Sequence, residues 1–202
     1  MQSEPSLMWL PYPQGVTRWL LRSPVLLYRL GLGALANRVH IMILVTRGRK
    51  SGLPRYTPVE YRTHGSKMYI LSGWGERAHW VQNAHEHPSV VTQQGSATTS
   101  ACAEIVTNEG EALRALRLFR RPAPSVYDAI IAHRTGRDKA DEHDLIDIAR
   151  RVTVVRLEPH AVTSDLPPLQ PDLGWVLPAF SVALLIAWGI VRMATARRST
   201  QR

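Results

Sequence analysis

Cysteine occurs once in this 202-residue chain, at Cys102. A single cysteine cannot close an internal disulfide, so no covalent staple holds the fold and nothing points to an oxidising compartment. Cys102 lies in Thr98 to Val106, which reads as a strand where it packs as a small side chain and not as a nucleophile. Phenylalanine occurs only twice, and four of the six tryptophans (Trp9, Trp19, Trp175 and Trp188) fall in apolar terminal regions. Acidic residues are scarce, 16 Asp and Glu against 25 Lys and Arg, which implies an anionic partner. The chain has no Ser-His-Asp order, P-loop or dinucleotide fingerprint. His79, His85 and His87 have no cysteine nearby, and residues two apart on a helix point in different directions, which argues against a metal site.

What is present divides into five stretches. Residues 1–38 carry Leu10, Trp19, Leu20, Leu21, Val25, Leu26, Leu27, Leu30 and Leu35, with Arg18, Arg22, Arg29 and Arg38 at near-helical spacing. The arginines interrupt any signal-peptide core, and no small-residue cleavage site follows. The stretch reads as two amphipathic helices, one starting at Pro24 with Ser23 as its cap, that either cover the domain or lie on a membrane surface.

Residues 39–160 are the globular domain. Val39–Thr46, Tyr56–Arg62 and Lys67–Ser72 read as strands, with a turn at His64-Gly65-Ser66. Trp80–Glu86 reads as a short helix stopped by Pro88, and Ser89–Gln93 with Thr98–Val106 as a hairpin across Gly95-Ser96. Helices are expected over Glu109–Arg120, opened by Asn108, and over Ser125–Arg134, followed by a closing strand at Val152–Leu157. Five or six antiparallel strands with helices inserted late make a small α+β barrel. Glu111, Asp128, Asp138, Asp141, Glu142 and Asp144 read as solvated faces, and Arg114, Arg117, Arg120 and Arg121 as a basic surface stripe.

Residues 161–172 are a proline-stiffened linker. Within 173–194, Leu173–Val191 is free of charge for 19 residues, enough for a helix of roughly 28 Å. This predicts a membrane helix, followed by a basic tail at 195–202; the other reading is a hydrophobic helix buried in a dimer. Association with the cytoplasmic face of a membrane is the corresponding expectation for location, with the orientation of the helix left open by the arginines that follow it.

The candidate site is a turn. Arg47, Arg49, Lys50 and Arg55 place four cations in nine residues, around the turn formers Gly48, Ser51-Gly52 and Pro54. Backbone N–H groups exposed at such a turn, together with guanidinium and ammonium groups, form an anion cradle. Tyr56 is the sole aromatic beside these cations, which argues against single-stranded nucleic acid as the anion.

The order of residues from Ile43 through Tyr61, with Thr46-Arg47-Gly48-Arg49-Lys50-Ser51-Gly52, Arg55 and Pro58, closely resembles the deazaflavin-dependent nitroreductase and quinone reductase family. Ser72-Gly73-Trp74-Gly75, Trp80-x-x-Asn83, His87-Pro88, Tyr127 and Leu157-Glu158-Pro159 extend the resemblance over about residues 25 to 160. The resemblance implies a split β-barrel of flavin-reductase type and coenzyme F420, whose phosphodiester and polyglutamate tail suit the cations, with FMN as the alternative cofactor. It implies that Arg49, Lys50 and Arg55 contact the phosphate region and that Trp80 and Asn83 shape the pocket. Ser72 and Gly73 would lie near the ring or the substrate, with Tyr127 facing the substrate. Ser72 and Tyr127 are accordingly the candidates for stabilising charge on the acceptor. The implied reaction moves a hydride to a quinone, nitro or enone-type acceptor, menaquinone among them if the tail meets a membrane. The alternative is a non-catalytic barrel that binds F420, FMN, haem or a lipid. Trp74 interrupts the family's glycines, and the late helix carries few tyrosines beside Tyr127, so the cofactor is better specified than the acceptor.

Overall fold

The computed structural model describes residues 15–135, 142–161, 163–174, 178–182, 184–186 and 188. Six strands close into an antiparallel barrel: β1 (Ile41–Arg47), β2 (Pro54–His64), β3 (Lys67–Ser72), β4 (Ser89–Gln94), β5 (Ala97–Ile105) and β6 (Thr153–Pro159). Their order around the barrel is β1-β2-β3-β6-β5-β4, with every neighbouring pair antiparallel. The ends of β1, β3 and β5 therefore share one rim with the starts of β2, β4 and β6. The α+β barrel expected from the strand pattern is present, with all six strands.

Strand β1 explains its own long apolar run. Met42 and Leu44 join the barrel interior, whereas Ile43 and Val45 face outward into a second cluster with Tyr28, Val91, Leu166 and Leu169. A strand covered on both faces has no polar alternation to show. A third cluster packs the outer face of β3 and β6, through Tyr69 and Val154, against α4 (Glu109–Arg120), α5 (Pro124–Thr135) and α6 (Glu142–Arg151). Asn108 caps α4 as its sequence suggests, its side chain accepting from the Glu111 N–H at 2.9 Å. Helix α6, which buries Leu145, Ile148 and Ala149, was not foreseen behind its polar residues.

The N-terminal region forms α1 (Gly15–Arg29) and α2 (Gly33–Arg38). Helix α1 does not start at Pro24; the proline sits inside it. Pro24 has no N–H to give, and the helix continues past the missing bond. Helix α1 is pinned to the barrel by Tyr28, whose hydroxyl donates to the Gln93 carbonyl at 3.0 Å and accepts from the Gly95 N–H at 3.1 Å. Of the alternatives for this region, the described part covers the domain.

The proline-rich segment after the barrel lies along this same face. Leu166 and Leu169 are buried, and Gln93 grips Leu169 twice, its amide donating to the carbonyl at 3.1 Å and accepting from the N–H at 2.9 Å.

The expected transmembrane helix is corrected. Among the described residues no helix is long and apolar enough to cross a membrane. Leu173 and Gly174 are non-helical, and the helical backbone described there begins at Pro178. The membrane location inferred from that helix falls with it. Residues 1–14 and the basic tail at 195–202 lie outside the described residues.

Candidate functional site

The connection between β1 and β2 is a tight turn built on its own backbone. The Gly52 N–H donates to the Gly48 carbonyl at 2.7 Å, and the Gly48 N–H donates to the Leu53 carbonyl at 2.9 Å. Gly52 holds φ at +68°, where a side chain would be strained. A Cβ at Gly48 would stand 2.8 Å from Ser51 Oγ, 3.1 Å from the Leu53 carbonyl and 3.2 Å from Arg55 Nε. Glycine at 48 thus leaves the room in which Ser51 and Arg55 come together.

Helix α3 (His79–Glu86) crosses the rim beside this turn. It follows β3 through a 3-10 turn at Gly75–Arg77 and leads into β4, so it caps this end of the barrel. Its Trp80, Val81 and Ala84 enter the barrel core. Asn83, also buried, accepts from both the Arg49 backbone N–H and Arg49 Nη1 at 3.2 Å, and its amide donates to Thr46 Oγ1 at 3.4 Å. Arg55 Nη2 donates to Ser51 Oγ at 3.1 Å. Arg49 and Arg55 are thus oriented by neutral partners, and among the described residues no carboxylate pairs with either of them or with Lys50. Their charge remains available to an anion.

Between this turn, α3, β2 and α1 lies a cavity of about 750 Å3. Gly48, Arg49, Lys50, Ser51 and Arg55 line one side, Trp80, Asn83 and His79 another, and Tyr56 and Thr57 of β2 the floor. Helix α1 supplies a further wall of Val25, Leu26 and Arg29. Five of the seven cofactor-site residues expected from the sequence (Arg49, Lys50, Arg55, Trp80 and Asn83) therefore meet in one place. The α1 wall was missed. Its signal was the amphipathic pattern of that helix, which shows that it packs but not against what.

Ser72 ends β3 at the same rim and Gly73 follows it, but neither lines this cavity. Ser72 is buried and its hydroxyl donates to the Gly75 carbonyl at 2.8 Å. Gly75 borders a second cavity of about 520 Å3, shared with Trp74, Ile105, Val106 and Val152. Tyr127 is on α5, where its hydroxyl donates to Glu60 Oε2 of β2 at 2.9 Å. Burial first, then the Glu60 charge and hydrogen bond, push its phenol well above the ordinary range, so it stays neutral. A hydroxyl has one proton to donate, and both of these are committed. The structure does not bring Ser72 and Tyr127 together with the cations. Among the described residues, no group of three His, Cys, Asp or Glu side chains is placed to hold a metal ion.

A family model described as F420H(2)-dependent quinone reductase matches residues 21–138, more than half of the chain. The chain belongs to this family. It is an F420-dependent oxidoreductase, and the matched residues span the cation turn, α3 and most of α1. The chain of this quinone reductase family also resembles two solved structures. One is an F420-H2 dependent reductase (FDR-A), at 22% identity over 59% of this chain and 94% of that one, with a TM-score of 0.42. The other is HutZ, the heme storage protein of Vibrio cholerae, at 14% identity over 70% and 92%, with a TM-score of 0.43. Likenesses of this size carry no information about the reaction.

The residues fit the cofactor that the family uses. F420 joins a flat aromatic ring system to a phosphodiester and a carboxylate-bearing tail. The cavity joins aromatic and aliphatic side chains to guanidinium and ammonium groups that no carboxylate among the described residues pairs with, in a volume typical of cofactor sites.

Proposed function

We propose that the chain transfers a hydride from reduced F420, held in the cavity beside the β1–β2 turn, to a quinone-type acceptor, with nitro and enone compounds as electronically similar substitutes. The observation that carries this reading is a cavity in which Arg49, Lys50 and Arg55, unpaired with any carboxylate among the described residues, share the lining with Trp80 and with Val25 and Leu26 of α1. When bound, the reduced deazaflavin supplies the hydride.

The chain's own residues bind, orient and exclude water. Arg49, held by Asn83, and Arg55, held by Ser51, would take the phosphodiester, with Lys50 adding a third charge at the exposed edge. Trp80 would offer its indole to the ring system. Val25 and Leu26 would close the outer side and keep water from the reacting face. Ser72, through its bond to Gly75, and Gly73 would shape the turn that leads to α3. Tyr127 would brace Glu60 beneath the helical layer.

Oxidation of reduced F420, followed by absorbance with a panel of quinones, nitroaromatics and enones, tests the reading. Acceptor-dependent turnover that is strongest with quinones is expected. Absence of turnover with every acceptor, where a control reductase works, overturns the reaction. Tight binding of FMN without binding of F420 overturns the cofactor.

A further inference from the structure

The basic turn has a fourth cation that the cavity does not use. Arg47 is the last residue of β1, directly before Gly48, which lines the cavity. Its Nη2 donates to both carboxylate oxygens of Asp165, at 2.5 and 2.6 Å, and its Nη1 donates to the Gly52 carbonyl within the turn at 3.4 Å. Asp165 belongs to the segment that lies along the barrel after β6, beyond the 21–138 match to the family model. Both flanks of Asp165 are anchored: the Ser164 N–H donates to Ser100 Oγ at 2.9 Å, and Leu166 is buried. The same segment touches two residues that line the cavity. Tyr56 donates its hydroxyl to the Pro167 carbonyl at 3.2 Å, and the Asp172 N–H donates to the Arg29 carbonyl at 2.8 Å. Yet the Asp165 side chain is 77% exposed.

We infer that Arg47, steadied by the Gly52 carbonyl, forms a carboxylate subsite for the cofactor's anionic tail, in which Asp165 sits as an internal competitor. Both Asp165 oxygens share the single Nη2 of Arg47, a charge-assisted contact that a carboxylate of the tail could take over. The subsite adjoins the cradle, within reach of a chain of carboxylates that leaves it. An exposed pair of this kind is weak enough to be displaced by a multiply charged ligand. Asp165 thus sets how much of the tail the protein holds, leaving the ring and phosphodiester to Arg49, Lys50 and Arg55. The inference rests on the reading of the main cavity as the F420 site.

The test is a double-mutant cycle at low ionic strength. F420 is titrated by fluorescence into the wild-type chain, D165N, R47Q and the double variant, and again with the deazaflavin riboside that lacks phosphate and tail. D165N is expected to bind F420 roughly two- to fivefold more tightly than wild type. The gain should vanish in the R47Q background and be absent for the tailless riboside. An unchanged or weaker constant for D165N, a gain that survives R47Q, or an equal gain with the riboside overturns the subsite while wild-type binding stands. Failure of the wild-type chain to bind F420 overturns the cofactor reading, and the subsite with it.

Discussion

Two arginine sites in this barrel meet opposite fates. On the outer face, Arg156 of β6 is surrounded by carboxylates: Glu104 at 2.6 Å, Glu111 at 2.8 Å and Glu158 at 2.9 Å, with Tyr69 donating to Glu111 at 2.9 Å. Its side chain is only 16% exposed, and these partners hold its charge firmly in place. At the rim, Arg49 and Arg55 are held just as definitely, but by the neutral oxygens of Asn83 and Ser51. A cation that is neutralised inside the fold fastens α4 to the sheet. A cation that is oriented without being neutralised is prepared for a ligand. Partner chemistry, not the number of arginines, separates the structural site from the proposed binding site.

Reversing charge at the rim should produce the largest effect. R49E is expected to weaken F420 binding by about 100-fold or more, since it removes a charge-assisted contact and adds repulsion, while the melting temperature stays near that of wild type. Fluorescence titration with thermal unfolding reads both quantities. Arg156→Met should do the reverse. Leaving Glu111 half-buried without its partner should destabilise the fold by about 2–3 kcal/mol in urea unfolding, with the F420 constant of the folded protein unchanged. If R156M weakens F420 binding as strongly as R49E, the distinction between the sites fails.

Smaller changes sharpen the comparison. Asn83→Ala leaves the Arg49 charge in place but removes its orientation, so a loss of roughly three- to tenfold in F420 affinity is expected. No loss would mean that orientation contributes nothing. The smallest effect concerns pH. The Arg156 hydrogen bond holds the Glu111 carboxyl below its ordinary value, despite partial burial. Its contribution to stability is therefore complete above the ordinary carboxylate range and disappears as the pH falls through the lowered value. E111Q should flatten that acid limb of the stability curve and leave F420 binding at neutral pH unaltered.

Much of the fold was legible because each strand carries its own pattern and its own turn residues. The hairpin at Gly95-Ser96, the cap at Asn108 and the stop at Pro88 are local features, and local features survive in a linear reading. The misreadings came from effects at a distance. Glu111 and Asp128 read as solvated, but Glu111 is claimed by Arg156 from 45 residues away and Asp128 by Arg120 at 2.6 Å across the α4–α5 corner. The apolar run at 173–191 read as a membrane helix because hydropathy does not register backbone conformation: Leu173 and Gly174 are non-helical, and no helix among the described residues is long and apolar enough to cross a membrane. Arg47 read as one more cradle cation, because nothing near it in sequence announces Asp165.

The sequence by itself determined the chemistry that could gather at this turn: four cations, the glycines that bend the backbone around them, and the Trp80 and Asn83 that follow at fixed spacing on a short helix. Residue type and turn geometry are local properties, and they suffice to mark this turn as a candidate anion cradle. The tertiary structure alone decided which cations keep their charge for a ligand. Barrel closure sets Asn83 against Arg49, brings α1 over the cavity and lays Asp165 across Arg47. Whether a cation is open or neutralised depends on partners 34 and 118 residues distant, and only folding supplies those.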